Sequence, residues 1–156
     1  MTPLRWLLLA SLPLAARGQA LPSASEPMRR ANTVWLLTAA APAGVLRVLA
    51  TNLQQRGYEL DSVAYEQGVV TTQPTIPPGT ESWPLAMRLV RVPGGIRLTG
   101  TFLAEPTLLA RPVSYPSEFW GFDWSPAKKT FRELEATARA YPGGQVRFSR
   151  EVRRAR

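Results

Sequence analysis

At 156 residues the chain has room for one domain around one core, and 45% hydrophobic against 19% charged residues places it among globular rather than disordered chains. It holds no His and no Cys, which excludes the usual zinc sites, Ser-His and Cys-His dyads, haem with a His or Cys axial ligand, and disulfides. The net charge of +8 invites a nucleic-acid reading, but every one of the nineteen basic residues except Lys128 and Lys129 is Arg, most of them scattered along the chain. Arg147, Arg150, Arg153, Arg154 and Arg156 form the one sizeable cluster, a short basic tail of the usual solvated kind in which Arg150, Arg153, Arg154 and Arg156 have no aromatic partners on which bases could stack, so no nucleic-acid partner is expected.

The start has the three parts of a secretory signal: Arg5, an apolar run from Trp6 to Ala16, and small residues at Gly18 and Ala20. That run of about eleven residues is well short of the ~20 needed to span a membrane, and Pro13 interrupts it. We therefore read 1–20 as a cleavable signal cut before Leu21, the alternative being a buried N-terminal helix. The product is expected to be exported, periplasmic or extracellular and not membrane-spanning. Without a Cys for acylation at the cleavage site, it should not be lipid-anchored either. A Pro/Ser/Ala-rich linker at 21–30, one domain at 31–149 and the basic tail at 150–156 complete the organisation.

Thr33 to Thr38 is a compact apolar run rich in β-formers, which predicts a strand buried on both faces. Pro42 then opens a helix whose Val45, Leu46, Leu49 and Leu53 share one side, with Asn52 and Gln55 facing water, until Gly57 stops it. Tyr58 to Tyr65 alternates, turns through Glu66-Gln67-Gly68 and continues as Val69 to Gln73, a hairpin. After a Pro-rich loop from Pro74 to Pro84, Leu85 to Val92 and Ile96 to Leu103 flank the turn Pro93-Gly94-Gly95. Here Ile96, Leu98, Gly100 and Phe102 point one way and Arg97, Thr99 and Thr101 the other, so one face of the sheet is covered and the other wet.

Ala104 to Ser125 carries aromatics and prolines without periodicity and is read as a structured loop. Ser125 then caps a second helix opened by Pro126, with Ala127, Phe131, Leu134, Ala138 and Tyr141 on one face, and Pro142-Gly143-Gly144 ends it. Gln145 to Ser149 forms a last strand with Val146 and Phe148 inward. Both helices lead through a glycine into an alternating strand, which suggests a degenerate repeat. The order β-α-β-β-β-β-α-β predicts an α+β fold, an antiparallel-rich sheet with both helices on one face.

Paired carboxylates are the one enzyme chemistry that composition leaves open. Glu59 and Asp61 share a strand face with Val63 and Tyr65, the pattern of a solvated surface, and Asp123 orders the turn before Ser125. Gly94-Gly95 lies between strands and Gly143-Gly144 follows a helix, so neither pair cradles phosphate. No catalytic, cofactor or metal site is expected. The group Trp83, Tyr115, Phe119, Trp120, Phe122 and Trp124 is the one candidate ligand surface, with Trp83, Tyr115, Trp120 and Trp124 as the binding residues; the alternative is a lid that buries these rings as a second small core. Trp124, beside the helix cap, is expected to pack inward and Trp120 to be partly exposed.

The stretch from Val45 to Phe102, a helix leading into Arg56-Gly57-Tyr58-Glu59-Leu60, a short hairpin and paired strands, resembles in architecture the small envelope domains of accessory lipoproteins of the outer-membrane barrel-assembly machinery. The chain lacks that family's acylated Cys, and no individual residue carries over. The resemblance implies a noncatalytic extracytoplasmic module that binds an envelope protein or polymer. The alternatives are a small domain that binds an apolar ligand between the sheet and the second helix under an aromatic lid, and a carboxylate-dependent hydrolase.

Overall fold

The computed structural model describes residues 24–76, 83–104 and 112–151. The signal expected at 1–20 with its cleavage site, the start of the linker and the tail beyond Glu151 lie outside the described residues. Within them the fold is α+β: seven antiparallel strands in one sheet, with two helices on one face. The strands are β1 (Thr33–Leu37), β2 (Leu60–Ala64), β3 (Val69–Thr72), β4 (Leu85–Val92), β5 (Gly95–Ala104), β6 (Val113–Pro116) and β7 (Gln145–Ser149). The helices are α1 (Pro42–Gln55) and α2 (Pro126–Arg139), and the main path through the sheet is β2-β3-β4-β5-β1-β7.

The predicted order holds, with one addition. The short strand β6 lies inside the stretch read as loop and pairs with the end of β5, Phe102 opposite Tyr115. Four residues that end in proline are too few to show a period of two, and the ladder bonds donated by long β5 make the strand. A second difference lies in β2, where Leu60 pairs with Thr72 and Ser62 with Thr71. The extra residue, Asp61, breaks the strict alternation expected from Tyr58 to Tyr65. Its carboxylate accepts hydrogen bonds from Thr71 Oγ1 and Gln73 Nε2, so the bulge is tied to the neighbouring strand.

One face of the sheet carries Val34, Leu36, Val70, Leu85, Met87, Leu89, Ile96, Leu98 and Phe148, all buried. Against it α1 sets Val45, Leu46, Leu49, Ala50 and Leu53, and α2 sets Phe131, Leu134 and Ala138. Gly100 lets α2 come close: a Cβ there would stand 3.1 Å from Leu134 Cδ2 and 3.0 Å from Leu85 Cδ1. The opposite face is polar, with Arg88, Arg97, Thr99 and Thr101 along the central strands. Trp35 lies there too, yet it is buried, between Arg97 and Arg147 in register, with its Nε1 donating to Ser149 Oγ at 2.8 Å.

Each helix ends in a glycine of positive φ, Gly57 at 86° beyond α1 and Gly143 at 80° beyond α2, and hands the chain to an outer strand of the main path, β2 on one side and β7 on the other. A half-buried polar bolt joins the two helices. Arg56 pairs with Glu133 and donates to Thr137 Oγ1 at 2.9 Å, while Tyr58 donates its hydroxyl to Glu133 at 3.2 Å. Burial first, then the Glu133 carboxylate, pushes the Tyr58 phenol well above its ordinary value. Asn52, expected to face water, is half-buried.

Candidate functional site

The six aromatics of the candidate surface separate into three settings. Trp83 and Tyr115 both rest on Phe102, Trp83 edge-on at 6.4 Å and Tyr115 stacked at 5.7 Å between ring centres. They close the β5–β6 end of the sheet. Phe119 goes inward against Phe131, 5.8 Å away, and so joins the core beneath α2. Trp120, Phe122 and Trp124 form the third set, at the surface, where Tyr115 is exposed as well.

Their placement follows from a tight turn. Ser125 N donates to the Phe122 carbonyl at 2.9 Å, and Ser125 Oγ donates to the Trp120 carbonyl at 2.9 Å. Ser125 stands at the N-cap position of α2, but its hydroxyl closes this turn and makes no side-chain cap. Gly121 has φ 88°, in the region that favours glycine, and a Cβ there would meet Ser125 Oγ at 2.9 Å. The turn therefore lifts residues 121–124 off the fold.

The expectation for Trp124 is overturned: it is 70% exposed, because Phe119 holds the place against Phe131 and the turn carries Trp124 outward. Phe122, outside the four named binding residues, is 71% exposed and stacks on Trp124 with ring centres 5.5 Å apart and planes 7° from parallel. Trp120 is 37% exposed, as expected.

Charge gathers around these rings. Arg29 lies 4.0 Å and Arg30 4.9 Å from the Trp120 ring centre, both within cation–π range, and Lys128 stands 4.7 Å over Phe119. Two backbone bonds, Arg30 N to the Phe119 carbonyl at 3.0 Å and Phe119 N to the Ala31 carbonyl at 2.8 Å, hold the linker segment beside the loop. Arg30 has φ 62°, the one positive value outside glycine among the described residues, a conformation that costs a non-glycine residue about 1–2 kcal/mol. Asp123 forms ion pairs at 2.9 Å with both Lys128 and Arg132, and Lys128 above all holds its carboxyl below the usual range.

Arg29, Phe119, Trp120, Gly121, Phe122 and Lys128 line an open, mostly apolar cleft of about 540 Å³. Both lysines of the chain fall in the first turn of α2, which has no acidic residue, although the helix dipole disfavours cations there. Arg29 and Arg30 were missed in the sequence because they fall in a segment that reads as linker. The one local hint is the run Met28-Arg29-Arg30 just before the first strand.

The space between α2 and the sheet is filled by Phe131, Leu134 and Ala138, so the apolar cleft lies outside that interface rather than within it. On the polar face of the sheet, Thr71, Arg88, Arg97, Thr99 and Thr101 border a shallow groove of about 470 Å³, where Arg97 is engaged by Glu151 at 3.4 Å. Glu59, just before β2, and Asp61 within it are exposed, and neither lines the apolar cleft or the polar groove. Among the described residues no three acidic side chains gather to hold a metal, and no helix is long and apolar enough to cross a membrane. Comparison with known proteins finds no family model, no curated relative and no solved structure that matches the chain.

Proposed function

We propose that the protein is a noncatalytic binding module of the bacterial cell envelope, exported by its N-terminal signal, and that the loop Trp120–Trp124 with Arg29 and Lys128 is its contact surface. The observation that carries this reading is the stacked pair Phe122 and Trp124, each about 70% exposed on a turn that the core does not need. Large aromatic side chains held out in water are costly unless a partner covers them, and a stacked aromatic pair with Arg29 and Lys128 beside Phe122 gives contact area and charge together. Resemblance of the helix-Gly-strand architecture to envelope domains supports the same compartment.

The open apolar cleft beside Phe122 favours one second reading, a site for a small apolar ligand with a negative group that Arg29 and Lys128 would meet. The experiment is site-specific photo-crosslinking in an exporting bacterium, with a photoreactive phenylalanine analogue at Phe122 and, as a control, at exposed Val63 on β2. A crosslinked envelope component from position 122 and none from position 63 is the expected result. Equal yields from both positions, or none from either, would overturn the contact-surface reading, whereas uptake of a small molecule alone would favour the second.

A further inference from the structure

The chemistry around the loop names a partner more closely. It combines two features that peripheral membrane proteins need together: aromatic side chains that project beyond the fold, and cations beside them at the same surface. Phe122 and Trp124 supply the first, with exposed Met28 next to Arg29 in the chain. Arg29 and Lys128 share a cleft with Phe122, and Arg132 stands on α2 within reach of Asp123, so the cations border the aromatic tip rather than lying elsewhere on the molecule.

Asp123 is the one acid in the turn itself, and its charge is met by both Lys128 and Arg132, which leaves the surface net positive. The chain as a whole carries +8, and still +6 without Arg5 and Arg17 of the expected signal. Indole rings favour the boundary between headgroups and acyl chains, where one edge is wet and the body is apolar. Each basic residue close to an anionic bilayer raises affinity about fivefold.

Resting on the contact-surface reading above, we infer that the partner of this loop is the surface of an anionic lipid bilayer, into whose headgroup layer Phe122 and Trp124 insert while Arg29, Lys128 and Arg132 meet lipid phosphates. The protein would lie on the membrane and not cross it. Charge complementarity selects this partner over a neutral polymer, and the two exposed rings select it over an anionic but hydrated one such as peptidoglycan, which offers charge without an apolar layer. A shallow insertion also suits a rigid two-ring tip better than a deep pocket would.

The test is co-sedimentation of the full mature chain with vesicles of equal phosphatidylglycerol and phosphatidylcholine, against phosphatidylcholine alone and against isolated peptidoglycan sacculi, with tryptophan emission read in parallel. Binding to the anionic vesicles, with a blue shift and with quenching by lipids brominated near the headgroup, is expected. The double variant Phe122→Ser/Trp124→Ser should bind at least tenfold more weakly, and Arg29→Gln/Lys128→Gln should lose most of the dependence on salt and on anionic lipid.

Binding by the parent and the aromatic double variant alike would reduce the effect to adsorption of a basic protein and overturn the inference. No binding to anionic vesicles would overturn it as well. Binding to sacculi instead would do so too, while leaving the contact-surface reading intact. Should the double variant fold poorly, quenching of the parent by brominated lipid decides: none means no insertion.

Discussion

The rings of Phe122 and Trp124 lie 5.5 Å apart and 7° from parallel, each about 70% exposed, while Phe119, three residues before Phe122, packs on Phe131 in the core. One loop thus divides its aromatics between anchoring the fold and facing outward, and the two sets should respond oppositely to truncation. Phe131→Ala should cost about 3–5 kcal/mol, since the ring is fully buried under α2. Phe122→Ser/Trp124→Ser should cost no more than about 1 kcal/mol, the scale of an exposed aromatic pair. Urea denaturation of the three proteins measures both; a large loss from the double variant would mean that the loop is structural.

Arg56, at the C-cap of α1, and Glu133, midway along α2, form a half-buried pair that Tyr58 and Thr137 complete. Glu133→Gln should lower stability by about 1–3 kcal/mol, because it takes the counter-charge away from the partly desolvated, still charged Arg56 while leaving the shape intact. A double-mutant cycle with Arg56→Met checks it: the double variant should lose less than the sum of the single losses.

Tyr58 gives a pH dependence on the alkaline side. Its folded pKa is raised above the ordinary value of 10.0, chiefly by burial, so the folded protein keeps a proton that the unfolded chain releases. Stability from this group is complete below the unfolded pKa near 10 and falls as pH rises toward the folded value, by about 1.4 kcal/mol per pH unit. Tyr58→Phe should flatten that decline between pH 10 and 11.5 in chemical denaturation. An unchanged slope would show that other groups set alkaline stability.

Export has its own measurement. Intact-mass and N-terminal peptide analysis of the protein from a secreting bacterium should find a start between Ala16 and Ser25. Retention of Met1 on a cytoplasmic product would remove the compartment on which the functional reading depends.

The strands and helices were legible where burial imposes a period. Ile96, Leu98, Gly100 and Phe102 face the helices because β5 is central and long, and Phe131, Leu134 and Ala138 recur at helical spacing because α2 lies on that face. The bulge at Asp61 was not legible, since β2 is exposed and the tie to Thr71 and Gln73 is made across strands. β6 escaped notice for the same reason: its pairing partner, and not its own four residues, makes it a strand.

The site was half legible. A run of aromatics without periodicity marks a place where direction is decided by tertiary contacts, and Phe119 won the core position that proximity to the helix start suggested for Trp124. Trp83 and Tyr115, grouped with Trp120 and Trp124 by composition, instead rest on Phe102. Arg29 and Arg30 reach Trp120 across about ninety positions of sequence, a distance over which no local pattern speaks.

Engagement of the envelope through residues 120–124, as proposed above, is open to hydroxyl-radical footprinting of the full mature chain with and without isolated bacterial envelopes. Oxidation is read residue by residue in mass spectra, so no substitution is needed. Alone, Phe122 and Trp124 should oxidise readily, Trp120 less and buried Trp35 hardly at all. With envelopes present, the account predicts strong protection of Trp120, Phe122 and Trp124 while exposed Val63 and Ile76 oxidise as before; unchanged oxidation of the loop, or equal protection of Val63 and Ile76, would contradict it.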